Sequence, residues 1–149
     1  MKAAQPTLSP LGIHGVVLTT LLLLGSPSLF AAEPDAAVLE RGRYLVEQVA
    51  MCGDCHSPRD EKGQLMPELH LHGAALGFAP KVPMPVWASV APNIAGLPTL
   101  RADKAEQVLS TGEGRPTGPL RPPMPEYRFS SEDAKAVVVY LKSLKGKKH

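Results

Sequence analysis

Hydrophobic positions recur at helical spacing in three separate stretches of the chain, and one long stretch between them lacks that rhythm. In the first, Val38, Leu39, Gly42, Leu45, Val46 and Val49 return every three or four residues and fall on one apolar stripe. Asp35 stands at the N-cap position, so a helix is predicted from Pro34 and Asp35 onward. Gly42 lies inside that stripe at a cost in helix stability. Close approach of another helix would explain it, and a merely suboptimal residue is the alternative. A second helix is predicted over about Arg101 to Ser110, with Ala105, Val108 and Leu109 inward and Gly112 as its stop. A third begins at Ser130 or Ser131, where Ser130 and Asp133 approximate a capping box with Asp in place of Glu. Ala134, Val137, Val138, Leu141 and Leu144 form its apolar stripe, Gly146 ends it, and Lys147-Lys148-His149 reads as a frayed tail.

Residues 57 to 98 behave differently. Pro58, Pro67, Pro80, Pro83, Pro85, Pro92 and Pro98 forbid long helices and central strands. Leu69 and Leu71 alternate with His70 and His72, a period-two pattern that turns both histidines to solvent. The pattern as a whole predicts an all-α fold of about three to four helices joined by long Pro-rich loops. A structureless loop of this length counts against a compact domain unless it wraps something.

The N-terminal stretch reads as an export leader over residues 1–32, leaving a single domain over residues 33–149. Lys2 supplies the positive start, and Leu11 to Leu24 form an apolar run of about 14 residues, short of the roughly 20 that span a bilayer. Phe30 sits where a small residue is preferred for cleavage after Ala32, so an uncleaved anchor is the alternative. Composition narrows the function. The formal charge is +2, falling to about +1 without Lys2, and aromatic residues make up 5%, which excludes the basic, stacking surface of a nucleic-acid binder. With 44% hydrophobic residues, 16 Pro and 13 Gly, side chains alone would build a modest core for this length.

The candidate chemistry sits where the first helix ends, in Cys52-Gly53-Asp54-Cys55-His56-Ser57. Cys-x-x-Cys-His is the attachment signature of a c-type haem. Each thiol adds across one vinyl group, so both sulfurs must lie along one edge of a flat ring, and His56 follows closely enough to bind iron from the proximal side. Gly53 is expected to ease the tight turn by having no Cβ. A redox Cys-x-x-Cys would want a βαβ pattern, which is not visible. A zinc site on Cys52, Cys55, His70 and His72 has one residue between its histidines where three to five are usual. A Cys52–Cys55 disulfide would close a very small loop to little effect. One covalent haem, attached through Cys52 and Cys55, is the reading that also supplies apolar mass and something for the long loop to wrap. Attachment occurs outside the cytoplasm, in agreement with the leader.

Iron held by His56 takes a second axial ligand or stays open to small molecules, and a thioether favours the ferrous state. Met51 adjoins the motif and would lie on the proximal side, and Met66 has no clear anchor. Met84 in Pro83-Met84-Pro85 and Met124 in Pro123-Met124-Pro125 are both stiffened by prolines, which lowers the entropy cost of holding a weak ligand. Trp87 could cover a haem edge or propionate, or serve as an ordinary core residue.

An N-terminal helix leading into Cys52-Gly53-Asp54-Cys55-His56, a methionine in Pro122-Pro123-Met124-Pro125 and a final helix with Tyr140-Leu141-Lys142-Ser143-Leu144 together resemble a class I cytochrome c over about residues 36 to 145. Cys55-His56-Ser57-Pro58-Arg59-Asp60 and Ala91-Pro92-Asn93-Ile94 are similar to the cytochrome subunits of bacterial membrane dehydrogenases, although this chain has one such motif and no internal repeat. The resemblance implies a small all-α fold wrapped around one covalent haem, His56 and Met124 as axial ligands, and first and last helices crossing near Gly42 and Tyr140. It also brings Asn93, Arg115 and Arg121 toward the propionates. The function it implies is one-electron transfer in the periplasm between redox protein partners such as a dehydrogenase, a respiratory complex or a terminal oxidase. No nucleic acid is involved, and a membrane only if the leader stays on. A haem enzyme or gas sensor with an open or labile sixth position is the rival from a different class.

Overall fold

In the computed structural model, which describes residues 34–115 and 118–144, Asp35 caps helix α1 (Ala36–Tyr44) by accepting a hydrogen bond from the Ala37 amide at 2.9 Å. The predicted leader, the Gly146 stop and the Lys147–His149 tail lie outside the described residues. Beyond Tyr44 the helix widens into a π-helical turn, Leu45–Val49, with the Ala50 amide on the Leu45 carbonyl at 2.8 Å. The wider turn rotates the stripe. Leu45 and Val46 stay buried, but Val49, expected inward, is carried out to 47% exposure. The chain then reverses at Met51, whose φ of 46° is in the left-handed region, and enters the single turn α2 (Gly53–His56).

Helix α3 (Ala102–Thr111) buries Ala105, Val108 and Leu109 as its spacing predicts. It stops at Gly112, whose φ of 79° suits a glycine and lets its amide close on the Val108 carbonyl at 2.8 Å. Helix α4 (Ser131–Ser143) is capped by Ser130, whose hydroxyl accepts from the Asp133 amide at 3.1 Å. Ala134, Val137, Val138 and Leu141 are buried on it, with Leu144 packed partly against them. Ala136 is buried as well, on the side that meets α1.

That meeting fixes the frame. A Cβ on Gly42 would run into the Ala136 carbonyl and come within 2.8 Å of the Tyr140 Cβ, so the two backbones approach as only glycine permits. Arg41 grips Asp133 across the same contact through two hydrogen bonds of 2.8 and 3.0 Å. The arrangement agrees with the resemblance, which places the crossing at Gly42 and Tyr140.

The stretch from 57 to 98 is irregular as its prolines require, with two short exceptions. Pro67–Leu69 forms one 3-10 turn, and β1 (Ala74–Ala75) pairs antiparallel with β2 (Val90–Ala91), Ala74 opposite Ala91. The alternating reading of 69–72 does not hold. Leu71 has a φ of 60°, is fully buried in the core and accepts the Ile94 and Ala95 amides on its carbonyl, so this is a folded loop and not a strand. Phase is lost with the strand. His72 is exposed as expected, but His70 is turned inward, half-buried and bonded to Glu47.

Gly42→Ala is expected to lower the unfolding free energy by about 3 kcal/mol, because the α1–α4 contact must open to admit a methyl. Gly77→Ala, where a Cβ would meet nothing within 4 Å, should leave it unchanged within roughly 0.5 kcal/mol. Chemical denaturation of the two variants beside the parent checks both.

Candidate functional site

The end of α1, the α2 turn, the β2 strand with the loop after it, and the segment just before α4 enclose one cavity of about 510 Å³. Cys52, Cys55 and His56 line it from one end of the sequence and Met124 from the other. Of the other methionines considered, Met51 also reaches the wall, while Met66 and Met84 do not. Arg115, Arg121 and Asn93 stand on the wall too. Asn93 uses its carboxamide oxygen to accept the Ala95 amide at 2.9 Å, and Arg115 donates from Nη1 to the Pro119 carbonyl at 3.0 Å.

Local structure explains how His56 is presented. The Cys52 amide closes on the Val46 carbonyl at 3.0 Å, so the turn starts directly off the π-helical end of α1. His56 Nδ1 lies 2.7 Å from the Pro92 carbonyl, which can only accept, so Nδ1 carries the proton and Nε2 keeps its lone pair. Burial holds the imidazole below its ordinary pKa, partly offset by the bond to Pro92, and this favours the neutral, ligating form. The Gly73 amide donates to the His56 carbonyl at 2.6 Å, so the residue is held at backbone and side chain together. Gly53 has ordinary helical backbone, and the expected conformational role does not apply. What it supplies is room, since a Cβ there would sit 3.1 Å from the His70 ring.

Tyr127, also on the wall, donates its hydroxyl to the Ala50 carbonyl at 2.9 Å and stacks on Phe129 with centroids 5.0 Å apart. Its hydroxyl is pushed up to about 12, chiefly by burial and less by the Cys52 and Cys55 thiolates. The Cys52 thiol is itself pushed up to about 11 by burial, then by the charge of Glu47. The Met124 loop is tied in by the Ala88 amide on the Pro122 carbonyl at 2.8 Å, and the Pro122–Pro123 peptide is cis.

These residues suit a haem. The wall is largely aliphatic, with two thiols and a neutral imidazole grouped at one place on it. Trp87, the neighbour of Ala88, buries its indole N–H with no acceptor among the described residues but does not line the cavity. A zinc site is not assembled. His70 points to Glu47, and among the described residues no three His, Cys, Asp or Glu side chains gather to hold a metal ion.

The sequence profile of the family described as cytochrome c matches residues 39–145, most of the chain. The chain belongs to the cytochrome c family. It is also 32% identical over 117 residues to the fructose dehydrogenase cytochrome subunit of Gluconobacter japonicus, covering 72% of this chain and 22% of that protein. Over 130 residues it is 32% identical to a diheme cytochrome c-type protein of Cereibacter sphaeroides, covering 81% of this chain and 40% of that one. The cytochrome thus spans well under half the length of either relative. Membership makes it a haem electron carrier with the haem attached covalently, in the mostly helical fold described above. Haem supplies the one-electron redox couple, and the protein supplies orientation, shielding and the axial field.

Both cysteines and His56, named from a local motif, and Met124, named from the family pattern, all stand on the cavity wall. Sequence reasoning missed Tyr127, Pro92 and Ala50. Pro92 acts through its carbonyl, which no residue-type signal reveals, and Tyr127 lay outside any recognised pattern.

Left to water, a largely aliphatic wall of this size would forgo the apolar burial that stabilises the rest of the core. The filler is therefore part of the core. Replacing Cys52 and Cys55 together by Ser should abolish cooperative thermal unfolding, seen by circular dichroism. Tyr127 sets an alkaline limit. A folded-state pKa above the unfolded value gives stability that is complete below about pH 10 and lost as pH rises toward about 12. Haem attachment removes the two thiolate charges but leaves the burial, so Tyr127→Phe should weaken that alkaline fall, measured as urea midpoints across this range.

Proposed function

We propose that this cytochrome is a one-electron carrier, not an enzyme, that holds a single haem c through Cys52 and Cys55 with His56 and Met124 as axial ligands. The observation that carries this reading is the convergence of these four side chains on one apolar cavity although Met124 lies far along the chain from the motif. Two strong axial donors would close the site to small molecules and limit it to electron transfer.

His56 holds its proton on Nδ1 and keeps it there through the Pro92 carbonyl, which strengthens the donor on the other side of the ring. The prolines on both sides of Met124, and the Ala88–Pro122 bond behind them, hold a weak thioether donor in place at little entropic cost. The aliphatic wall excludes water, and Arg115 and Arg121 offer cationic partners for the carboxylates of the group.

The protein works, in this reading, outside the cytoplasm, exported by the leader over residues 1–32, and an uncleaved leader would keep it at a membrane. Among the described residues no helix is long and apolar enough to cross one. Its partners are redox proteins, with a dehydrogenase as donor and a respiratory complex or terminal oxidase as acceptor. The likeness to a dehydrogenase cytochrome subunit supports the donor. Phe78, Val82, Val86 and Val90 stand exposed on the stretch that closes the cavity wall, in keeping with small, transient contacts.

Purified protein from a host that attaches haem should keep its haem on a denaturing gel, and its mass should equal that of the chain from residue 33 plus one haem. The reduced protein should resist carbon monoxide at neutral pH. Met124→Ala should bind it readily, whereas Met84→Ala should behave as the parent. Ready binding by the parent would favour a haem enzyme or gas sensor instead.

A further inference from the structure

Behind the attachment turn, on the side away from the cavity, four polar side chains from four parts of the chain meet in one hydrogen-bonded line. Glu47 comes from the π-helical end of α1, Tyr140 from α4, Ser57 from the exit of α2 and His70 from the loop that follows the 3-10 turn. The Tyr140 hydroxyl donates to Glu47 Oε1 at 2.7 Å, and His70 Nε2 lies 2.9 Å from the same oxygen. Ser57 Oγ accepts the buried Leu71 amide at 2.9 Å and lies 3.3 Å from His70 Nδ1.

Donor accounting leaves one arrangement in which every group is satisfied. An ionised Glu47 can only accept, so His70 Nε2 carries a proton and donates it. Ser57 Oγ accepts Leu71 on one lone pair, and its hydroxyl proton has no other acceptor among the described residues, so that proton is the one shared with Nδ1. His70 is therefore the neutral Nε2–H tautomer, a donor to α1 and an acceptor from the turn. The carbon between its nitrogens lies against Gly53, in the space a Cβ would fill.

We propose that His70 is a positioning residue for the haem-attachment turn, a wedge between Glu47 and Gly53–Ser57 that sets how the turn carrying His56 sits against the α1–α4 frame. The proposal rests on His56 as the iron ligand. The loop of His70 grips that turn at three further points: the Leu71 amide on Ser57, the Gly73 amide on the His56 carbonyl, and the β1–β2 pairing that brings Pro92 to His56 Nδ1. His70 is the member of this grip whose side chain reaches α1. Loosening it would let the turn shift relative to Pro92 and alter the hydrogen bond that governs the strength of the proximal donor.

The test uses the full-length holoprotein. Long-range proton–nitrogen NMR on the ferrous form should report His70 as the Nε2–H tautomer at neutral pH, and the Nδ1–H tautomer would overturn the proposal. Potentiometric titration of His70→Gln, which keeps a donor toward Glu47, should leave the ferrous-to-ferric ratio at fixed poise within about twofold of the parent. His70→Phe, which fills the volume without donors, should shift that ratio by roughly tenfold. A parental potential in His70→Phe, with only a lower denaturation midpoint, would reduce His70 to packing and sink the idea. If His70→Phe does not mature, the tautomer and the His70→Gln titration decide. A parent protein with no nitrogen ligand in its haem spectrum would instead overturn the ligand reading, whatever tautomer His70 shows.

Discussion

The close approach of α1 and α4 at Gly42 is the constraint from which the rest of this small protein follows. Two helices that meet backbone to backbone cannot slide without breaking van der Waals contact along both faces, and Arg41 with Asp133 fixes the register at one end. The frame so formed carries the α2 turn directly on the end of α1 and supplies Val137 and Leu141 of α4 as part of the cavity wall. The attachment turn therefore inherits its position from a helix crossing, not from the loop that surrounds it.

The other wall is built by a different rule. Between residues 57 and 98 and again from 118 to 125 there is little regular structure, and the backbone groups find partners singly: Gly73 on His56, Leu76 on Ser89, Ala88 on Pro122, Gly96 on Leu141. Proline removes conformations from the unfolded chain, so loops rich in it lose less entropy on ordering than their length suggests. A cavity of this size, lined mostly by aliphatic carbon, makes the filler a partner in folding, and the loops are ordered around it.

Much of this was legible beforehand, for reasons that differ by residue. Asp35, Gly112 and Ser130 cap helices through interactions within a few residues, so local sequence suffices, and the stripes of α3 and α4 follow from a single period. Cys52, Cys55 and His56 were legible because their chemistry demands adjacency. Met124 needed the family pattern, since Pro83-Met84-Pro85 offers the same stiffness and only tertiary structure keeps Met84 off the cavity wall. Val49 was misplaced because nothing in Leu45–Val49 announces a π turn. His70 was misplaced because a left-handed Leu71 breaks the alternation that assigned it to solvent. Gly53 was expected to matter by lacking a Cβ, and it does, although the room it leaves serves a ring arriving from another part of the chain and not the turn itself.

An electron carrier gains from a site that changes little between oxidation states, and the arrangement around His56 shows how a chain poor in regular structure can approach this. Rigidity here comes from over-determination. His56 is held at its carbonyl by Gly73 and at its ring by Pro92, the next residue is held by Leu71, and the β1–β2 pair joins the strand that follows Gly73 to the strand that precedes Pro92. Each bond contributes about 1 kcal/mol by itself, but the bonds share partners, so displacing His56 means breaking several together. A helix could have supplied the same stiffness only by filling part of the cavity that the haem requires. Pro-rich loops held by shared hydrogen bonds thus leave the cavity open and His56 still.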